Sequence, residues 1–431
     1  LYQSQLMCSF SFPSLTHPRR LYSLPSMTGI QDTQTAPLPL TGIRVVEFCH
    51  MVMGPTCGMI LGDLGAEVIK IEPLKGDTTR RLKRQGAGFF ATYNRNKKSI
   101  SLDLESDEGK KIARLLVATA DVLVENLRPG GMAHMGFGYQ QLKFEFPSLI
   151  YCSLKGFLPG PYENRKALDE VVQMMGGLAY MTGPTGRPLR AGASVIDIMG
   201  GMYGVIGIQA ALREREKTGS GQEVSAALFE TTVHAVAQHM AQFAVTNEPP
   251  LPMPDGFRAW SVYDIFDTAD DSQVFIGVVS DTQWKIFCDA FDKPHLMSNP
   301  DYETNAERYH LRSEFMPELK SLFATYPKFD LMRKCERIGL PFAPITKPHE
   351  LYDDPHLKAS KAILNLNLPT GREVGVPGLP LTMGGRKFGV RYDLPGAGEH
   401  GPELARELGM TETEIEQLIN NGILKIGDGL V

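Results

Sequence analysis

Short apolar runs alternate along this chain with amphipathic stretches, and glycine or proline marks the breaks. Residues 42–48 (GIRVVEF) form a compact apolar run of strand length. Residues 54–66 (GPTCGMILGDLGA) read as a glycine-rich turn entering a helix, and 66–73 (AEVIKIEP) as a second strand. The order then repeats, with a strand at 97–104 (KKSISLDL), a helix at 109–120 and a strand at 121–126 (DVLVEN). Another strand lies within 147–157 (PSLIYCSLKGF). Strands alternating with helices predict an α/β fold, a doubly wound Rossmann-like parallel sheet with ligands beyond the carboxyl ends of its strands. Helical stretches follow at 169–181 and 198–219, the second closed by Gly219.

After about Val245 the texture changes. The proline-rich connector 247–256 (NEPPLPMPDG) leads to two strands, SVYDIFDT and QVFIGVVS, and then to helices reaching about Ile338. A second proline-bearing linker, 341–357, precedes strand, turn and helix patterns from Gly371 to Leu424. The expected organisation is a large α/β domain at 39–245, a smaller α+β domain at 246–345, and a return to the large domain at 346–431.

Composition narrows the function classes. The 431 residues are 42% hydrophobic and 22% charged with net charge −5, so no global basic field exists to hold nucleic acid. No apolar run reads as long enough to span a bilayer. Cysteines at 8, 49, 57, 152, 288 and 335 are scattered without a CxxC pair. They read as reduced, mostly buried thiols, and no metal site is visible. Residues 1–38 differ in texture: they are rich in Ser, Pro and Tyr, carry Arg19 and Arg20, and have no acid before Asp32. They are expected to be a disordered leader or targeting segment, placing the protein in the cytoplasm, or in the mitochondrial matrix if residues 1–26 are a transit peptide.

The chemistry centres on three features. The turn His50–Pro55, between a strand and a helix, can offer backbone N–H groups to an anion, although the dinucleotide glycine fingerprint is absent. Two basic clusters follow, Arg80, Arg81, Lys83 and Arg84, then Arg95, Lys97 and Lys98. They suit polyphosphate or, as charge runs usually do, a solvated face. Finally, Asp197 sits among Ala, Val, Ile, Met and Gly in 191–204 (AGASVIDIMGGMYG). A carboxylate in apolar company needs a partner, a cleft or a task. Alone it reads as a helix N-cap.

The segments LTGIRVVEF, GPTCGMILGDLGAEVIKIEP, NRNKKSISLDL, ADVLVENLRPGGMAHMGFGY, DEVVQ with GGLAYMTG, Asp197 with its glycine-rich helix, and ALREREKTGSGQEV occur in one order. PFAPI and PGAGEHGPELARELG follow. Together, from Leu40 to about Leu424, they resemble the family III CoA-transferases, the CaiB/BaiF family. That resemblance implies an interlocked homodimer and a CoA-transferase in which Asp197 is the nucleophile. CoA would pass from an acyl-CoA donor, such as succinyl-CoA, to a small carboxylic acid through an aspartyl-CoA thioester. Coenzyme A would be a substrate, with no permanently bound cofactor, and neither a membrane nor a nucleic-acid partner is expected.

By the same resemblance, CoA contacts fall on His50, Met51, Val52 and Met53, on Asn126 and Leu127, on His134 and Met135, and on Lys166. Asp169 matches an acidic position near the active site. Pro73, Glu105 and His134 depart from basic residues seen in relatives, so phosphate contacts are expected to shift to Arg80 or Lys98.

Two other readings remain. An α-methylacyl-CoA racemase of the same fold needs bases on both faces of the α-carbon. Its paired histidine position is Leu168 here, which cannot move a proton. A noncatalytic CoA-binding protein would hold ligand without acyl exchange. The MMGG and MGGMYG runs read as close helix packing rather than a ligand surface.

Overall fold

The computed structural model describes residues 37–255 and 260–427. Most of the expected leader therefore lies outside the described residues. Alternating apolar positions build the sheet. Its strands are β1 (Arg44–Phe48), β2 (Glu67–Glu72), β3 (Lys97–Leu102), β4 (Val122–Glu125), β5 (Ile150–Lys155) and β6 (Glu223–Ala227). They are parallel, in the order β3-β2-β1-β4-β5-β6. The final strand, Leu424–Lys425, adds antiparallel to β3.

Both faces of this sheet are covered, which is why its strands read as nearly continuous apolar runs. Val45, Val68, Val122, Val124, Ile150 and Cys152 point to one face. There they meet the helix Met53–Asp63 and the long helix Val195–Thr218. Val46, Ile69, Leu123 and Tyr151 point to the other, against Ile112 and Leu116 of the helix Asp107–Ala118. Leu404 and Ile415, from helices near the carboxyl end, complete that second layer.

A smaller antiparallel sheet, β7 (Val262–Asp267), β8 (Gln273–Val278) and β9 (Phe342–Pro344), has its own core. Trp284, Phe287, Phe315 and Phe323 form its aromatic centre. The hairpin β10 (Ile363–Asn367) with β11 (Glu373–Pro377) packs Leu366 and Val376 around Phe90.

The structure differs from the sequence reading in four elements. The helix expected over 169–181 is two pieces, Asp169–Met175 and Leu178–Thr182, because Gly177 takes φ 85°. Strand β6 was not anticipated, and the linker at 341–357 contributes β9. The second long helix starts at Val195 rather than 198, which places Asp197 inside it. An 18-residue stretch of it reaches a mean hydropathy of 1.5, so an apolar segment of membrane-spanning length does exist. In this fold that helix lies on the sheet, and Gly204 would clash with Leu154 of β5 if it carried a Cβ.

Candidate active site

The strand order reverses between β1 and β4, with β2 and β3 on one side and β5 and β6 on the other. In open parallel sheets a crevice forms beyond the carboxyl ends at such a switch. The segments that leave β1 and β4 there carry His50–Met53 and Asn126–Leu127. The two segments are tied together. Asn126 accepts the His50 N–H at 2.9 Å through Oδ1 and donates through Nδ2 to the His50 carbonyl at 2.8 Å. Within the first segment Met51 takes φ 63°, a left-handed conformation that a non-glycine residue adopts only when its surroundings hold it there.

Buried charges anchor both ends of the turn. Lys70 Nζ donates to the Cys49 carbonyl at 2.6 Å, and Lys97 Nζ to the Pro55 carbonyl at 3.0 Å. Lys97 also pairs with Glu47 at 2.8 Å, and Lys70 with Asp77 at 3.0 Å. Burial works against the Lys70 charge, but Asp77 and Glu47 outweigh it and hold its pKa above the ordinary lysine value. The first helix fits over this network only because Gly58 lacks a side chain: a Cβ there would stand 1.9 Å from Glu47 Oε2.

This network corrects the expectation for the phosphates. Arg80 is buried, bonded to Glu72 at 2.6 Å, and stacked 3.8 Å over Phe90. Lys98 is shared by Glu67, Glu403 and Glu407. Arg95 pairs with Asp63 at 2.6 Å. These cations hold the fold together and are not available to a polyphosphate. Arg81, Lys83 and Arg84 stay exposed, as do His134, Lys166 and Arg128, which follows Leu127 directly. Leu127 and Met135 lie half-buried against the second core layer.

Asp197 occupies the third position of its helix, and the N-cap reading fails. Ser194 holds the cap position without a side-chain bond. The capping acceptor comes from elsewhere: Asp169 Oδ2 takes the N–H of Ile196 at 3.0 Å and of Asp197 at 3.1 Å. Asp169 is buried, and Gln173 Nε2 donates to its Oδ1 at 2.5 Å. Gln173 Oε1 in turn accepts the Ala191 N–H at 2.8 Å, which ties in the loop that feeds the helix. The Asp197 carboxylate itself makes no hydrogen bond or ion pair among the described residues. Its pKa is pushed up to about 7, by burial first and then by Asp169 and Glu170, with Arg190 opposing.

Helical geometry joins Asp197 to the switch-point turn. Residues 197, 200 and 201 share one face, at spacings of three and four. Gly200 and Gly201 press on the start of the first helix: a Cβ on Gly200 would lie 2.6 Å from Met53 Cε, and one on Gly201 2.6 Å from the Met53 carbonyl oxygen. The segments that carry the two expected sites thus meet at Met53, with the Asp197 carboxylate one helical turn from that contact. Three further residues were not singled out by the sequence: Gln173, Arg190 and Tyr93. Half-buried Tyr93 has its phenol pKa raised, by burial first and then by the charges of Asp197 and Asp169.

Comparison with known proteins identifies the family. The sequence profile of CoA-transferase family III matches residues 40–401. The chain belongs to that family. Like its relatives it is a CoA-transferase. It is 33% identical over 383 residues to the succinate–glutarate CoA-transferase of Agrobacterium fabrum, covering 86% of this chain and 96% of that one. It is 31% identical over 394 residues to the human succinyl-CoA:glutarate CoA-transferase, covering 90% of each. A solved CaiB/BaiF family protein of Brucella suis shares the fold with a TM-score of 0.79 and 32% identity, over 86% of this chain and 100% of that one. In this family III chain Leu168, where the racemase reading needs a histidine, is 61% exposed and offers no group that moves a proton.

Proposed function

We propose that the protein moves CoA from a dicarboxylyl-CoA such as succinyl-CoA to a small dicarboxylic acid, with Asp197 as the nucleophile. The observation that carries this reading is the unpartnered Asp197 carboxylate, raised toward neutrality and set one helical turn from the switch-point turn. Perturbed carboxyls in clefts are candidate catalytic groups. The choice of dicarboxylates draws on what the Agrobacterium and human relatives are named for.

The ionised Asp197 attacks the thioester carbonyl of the donor, and the C–S bond breaks to release CoA thiolate. The product is a mixed anhydride between Asp197 and the donor acid. The thiolate then attacks the Asp197 carbonyl of that anhydride, expels the donor carboxylate and leaves an aspartyl-CoA thioester. An acceptor carboxylate attacks this thioester, forming a second anhydride and freeing the thiolate again. Attack of the thiolate on the acceptor carbonyl yields the new acyl-CoA and restores Asp197. Covalent catalysis of this kind divides one difficult exchange into easier steps. In this reading CoA lies along the β1/β4 crevice, with contacts from His50, Met51, Val52, Met53, Asn126, Leu127, His134, Met135 and Lys166. The first turn of the Met53–Asp63 helix has N–H groups without intrahelical partners, which suit developing negative charge.

A homodimer belongs to the same proposal. The helix Ala237–Thr246 has no buried residue, although it carries Met240, Phe243 and Val245. Met202 and Ile206 on the long helix are likewise exposed. Apolar surface of this extent suits an interface with a second copy. Exchange between succinyl-CoA and glutarate tests the catalytic reading. Asp197→Asn and Asp197→Ala are expected to lose turnover while still binding CoA; retained turnover by either variant removes the nucleophile assignment.

A further inference from the structure

We infer that Arg190 receives the distal carboxylate of the dicarboxylate substrate and so selects the class of acid that reaches Asp197. The inference rests on CoA transfer through Asp197 as proposed above. Arg190 lies on the loop that runs into the Asp197 helix, and its Nε donates to the Ala191 carbonyl at 3.0 Å. The N–H of Ala191 is held by Gln173, which also bonds Asp169. One arm of the guanidinium pairs with Glu170. The other stands 3.8 Å from Asp169 Oδ1, whose partner oxygen accepts the Asp197 N–H. A planar two-pronged cation is therefore held by its own loop two contacts from the nucleophile's backbone.

Its bonds leave room for a substrate. Charge-assisted bonds to a guanidinium close to about 2.7–2.9 Å, so the 3.8 Å gap to Asp169 leaves that arm under-used. Glu170 is 49% exposed and Arg190 35% exposed, and an ion pair so open to water is worth little. An incoming carboxylate can replace Glu170 at small cost and take the fork in two-point contact. The site also needs such a cation. Asp197, Asp169 and Glu170 gather negative charge, and Arg190 is the opposing charge acting on Asp197. An acid with a second carboxylate is repelled there unless that group meets Arg190, whereas a monocarboxylate has no group to place on it.

The test compares kcat/KM for two matched pairs, succinyl-CoA with glutarate and butyryl-CoA with valerate, in the full chain. Arg190→Gln is expected to lower the dicarboxylate value more than the monocarboxylate value, by a factor on the order of 10 to 100. Arg190→Lys should recover part of that selectivity. Parallel loss for both pairs would mean that Arg190 only braces the loop, and would overturn the inference, as would an unmodified protein that favours monocarboxylates. Glu170→Gln gives an independent arm: freeing the guanidinium should lower KM for glutarate several-fold, and an unchanged or raised KM counts against the inference. If the unmodified protein transfers CoA to neither acid, the failure lies with the catalytic reading itself, and the Arg190 inference falls with it.

Discussion

The Asp169 carboxylate accepts the backbone N–H of Asp197 at 3.1 Å, so one acid of the pair builds the platform on which the other is presented. By supplying the cap from a separate helix, Asp169 leaves the Asp197 side chain unbonded. It also places a negative charge close by, which adds to burial in raising the Asp197 pKa to about 7. Capping and tuning are thus two effects of one side chain.

Asp169→Asn separates the two. The amide oxygen still accepts N–H groups, while the like charge is gone. The rate of Asp197 acylation should fall as pH drops through about 7 in the unmodified protein, because the nucleophile becomes protonated. In Asp169→Asn that midpoint is expected at lower pH. Asp169→Ala loses the cap as well and should cost a further ~0.5–2 kcal/mol of stability. A pH–rate profile and a denaturant titration of each variant check both statements.

Asp197 also links stability to pH. Its folded pKa of about 7 lies above the ordinary value of 3.8, so the folded state holds the proton more tightly than the unfolded chain. Stability from this group is full below pH 3.8 and is lost as pH rises toward about 7. Asp197→Asn removes that dependence. The variant should match the unmodified protein near pH 4 and exceed it at pH 8 by on the order of 1–3 kcal/mol, read from urea unfolding.

The two glycines against Met53 predict different costs. A methyl group at Gly201 meets the Met53 carbonyl oxygen, which is backbone, whereas one at Gly200 meets the flexible end of the Met53 side chain. Gly201→Ala should therefore destabilise by about 1–3 kcal/mol and raise KM for acyl-CoA as the turn shifts. Gly200→Ala should do less of both. Thermal melts and steady-state kinetics of the pair distinguish them.

Lys70 holds the Cys49 carbonyl and is buried with Asp77 and Glu47. Lys70→Met leaves buried carboxylates without their cation, a change expected to cost about 3–5 kcal/mol. Circular dichroism during thermal unfolding measures the loss. Should the variant fold and melt like the parent, the anchoring role assigned to this network is wrong.

Much of this arrangement could be read from the chain. Strands β1 to β5 were legible because burial on both faces turns them into compact apolar runs between glycines. Asp197 was legible because a carboxylate among Ile, Met and Gly is out of place. Strand β6 was not, since Glu223–Ala227 is short and begins with exposed polar positions. Arg80 and Lys98 looked available because side-chain pairing is invisible to local pattern: Glu72 lies 8 residues before Arg80, and Glu403 is 305 residues from Lys98. The same limit hid the Asp169 cap, which spans 28 residues to the helix it serves. Arg190 carried a faint signal, one of two arginines, with Arg187, in the loop just before Asp197.

Transfer through Asp197 requires that its carboxylate become covalently acylated. Incubation with succinyl-CoA, a hydroxylamine quench and peptide mass spectrometry test it directly. A hydroxamate is expected on the peptide that contains Asp197 and is expected to be absent from Asp197→Asn. A protein that binds CoA yet yields no adduct, while exchanging α-protons of an acyl-CoA in deuterated water, would contradict transfer through Asp197.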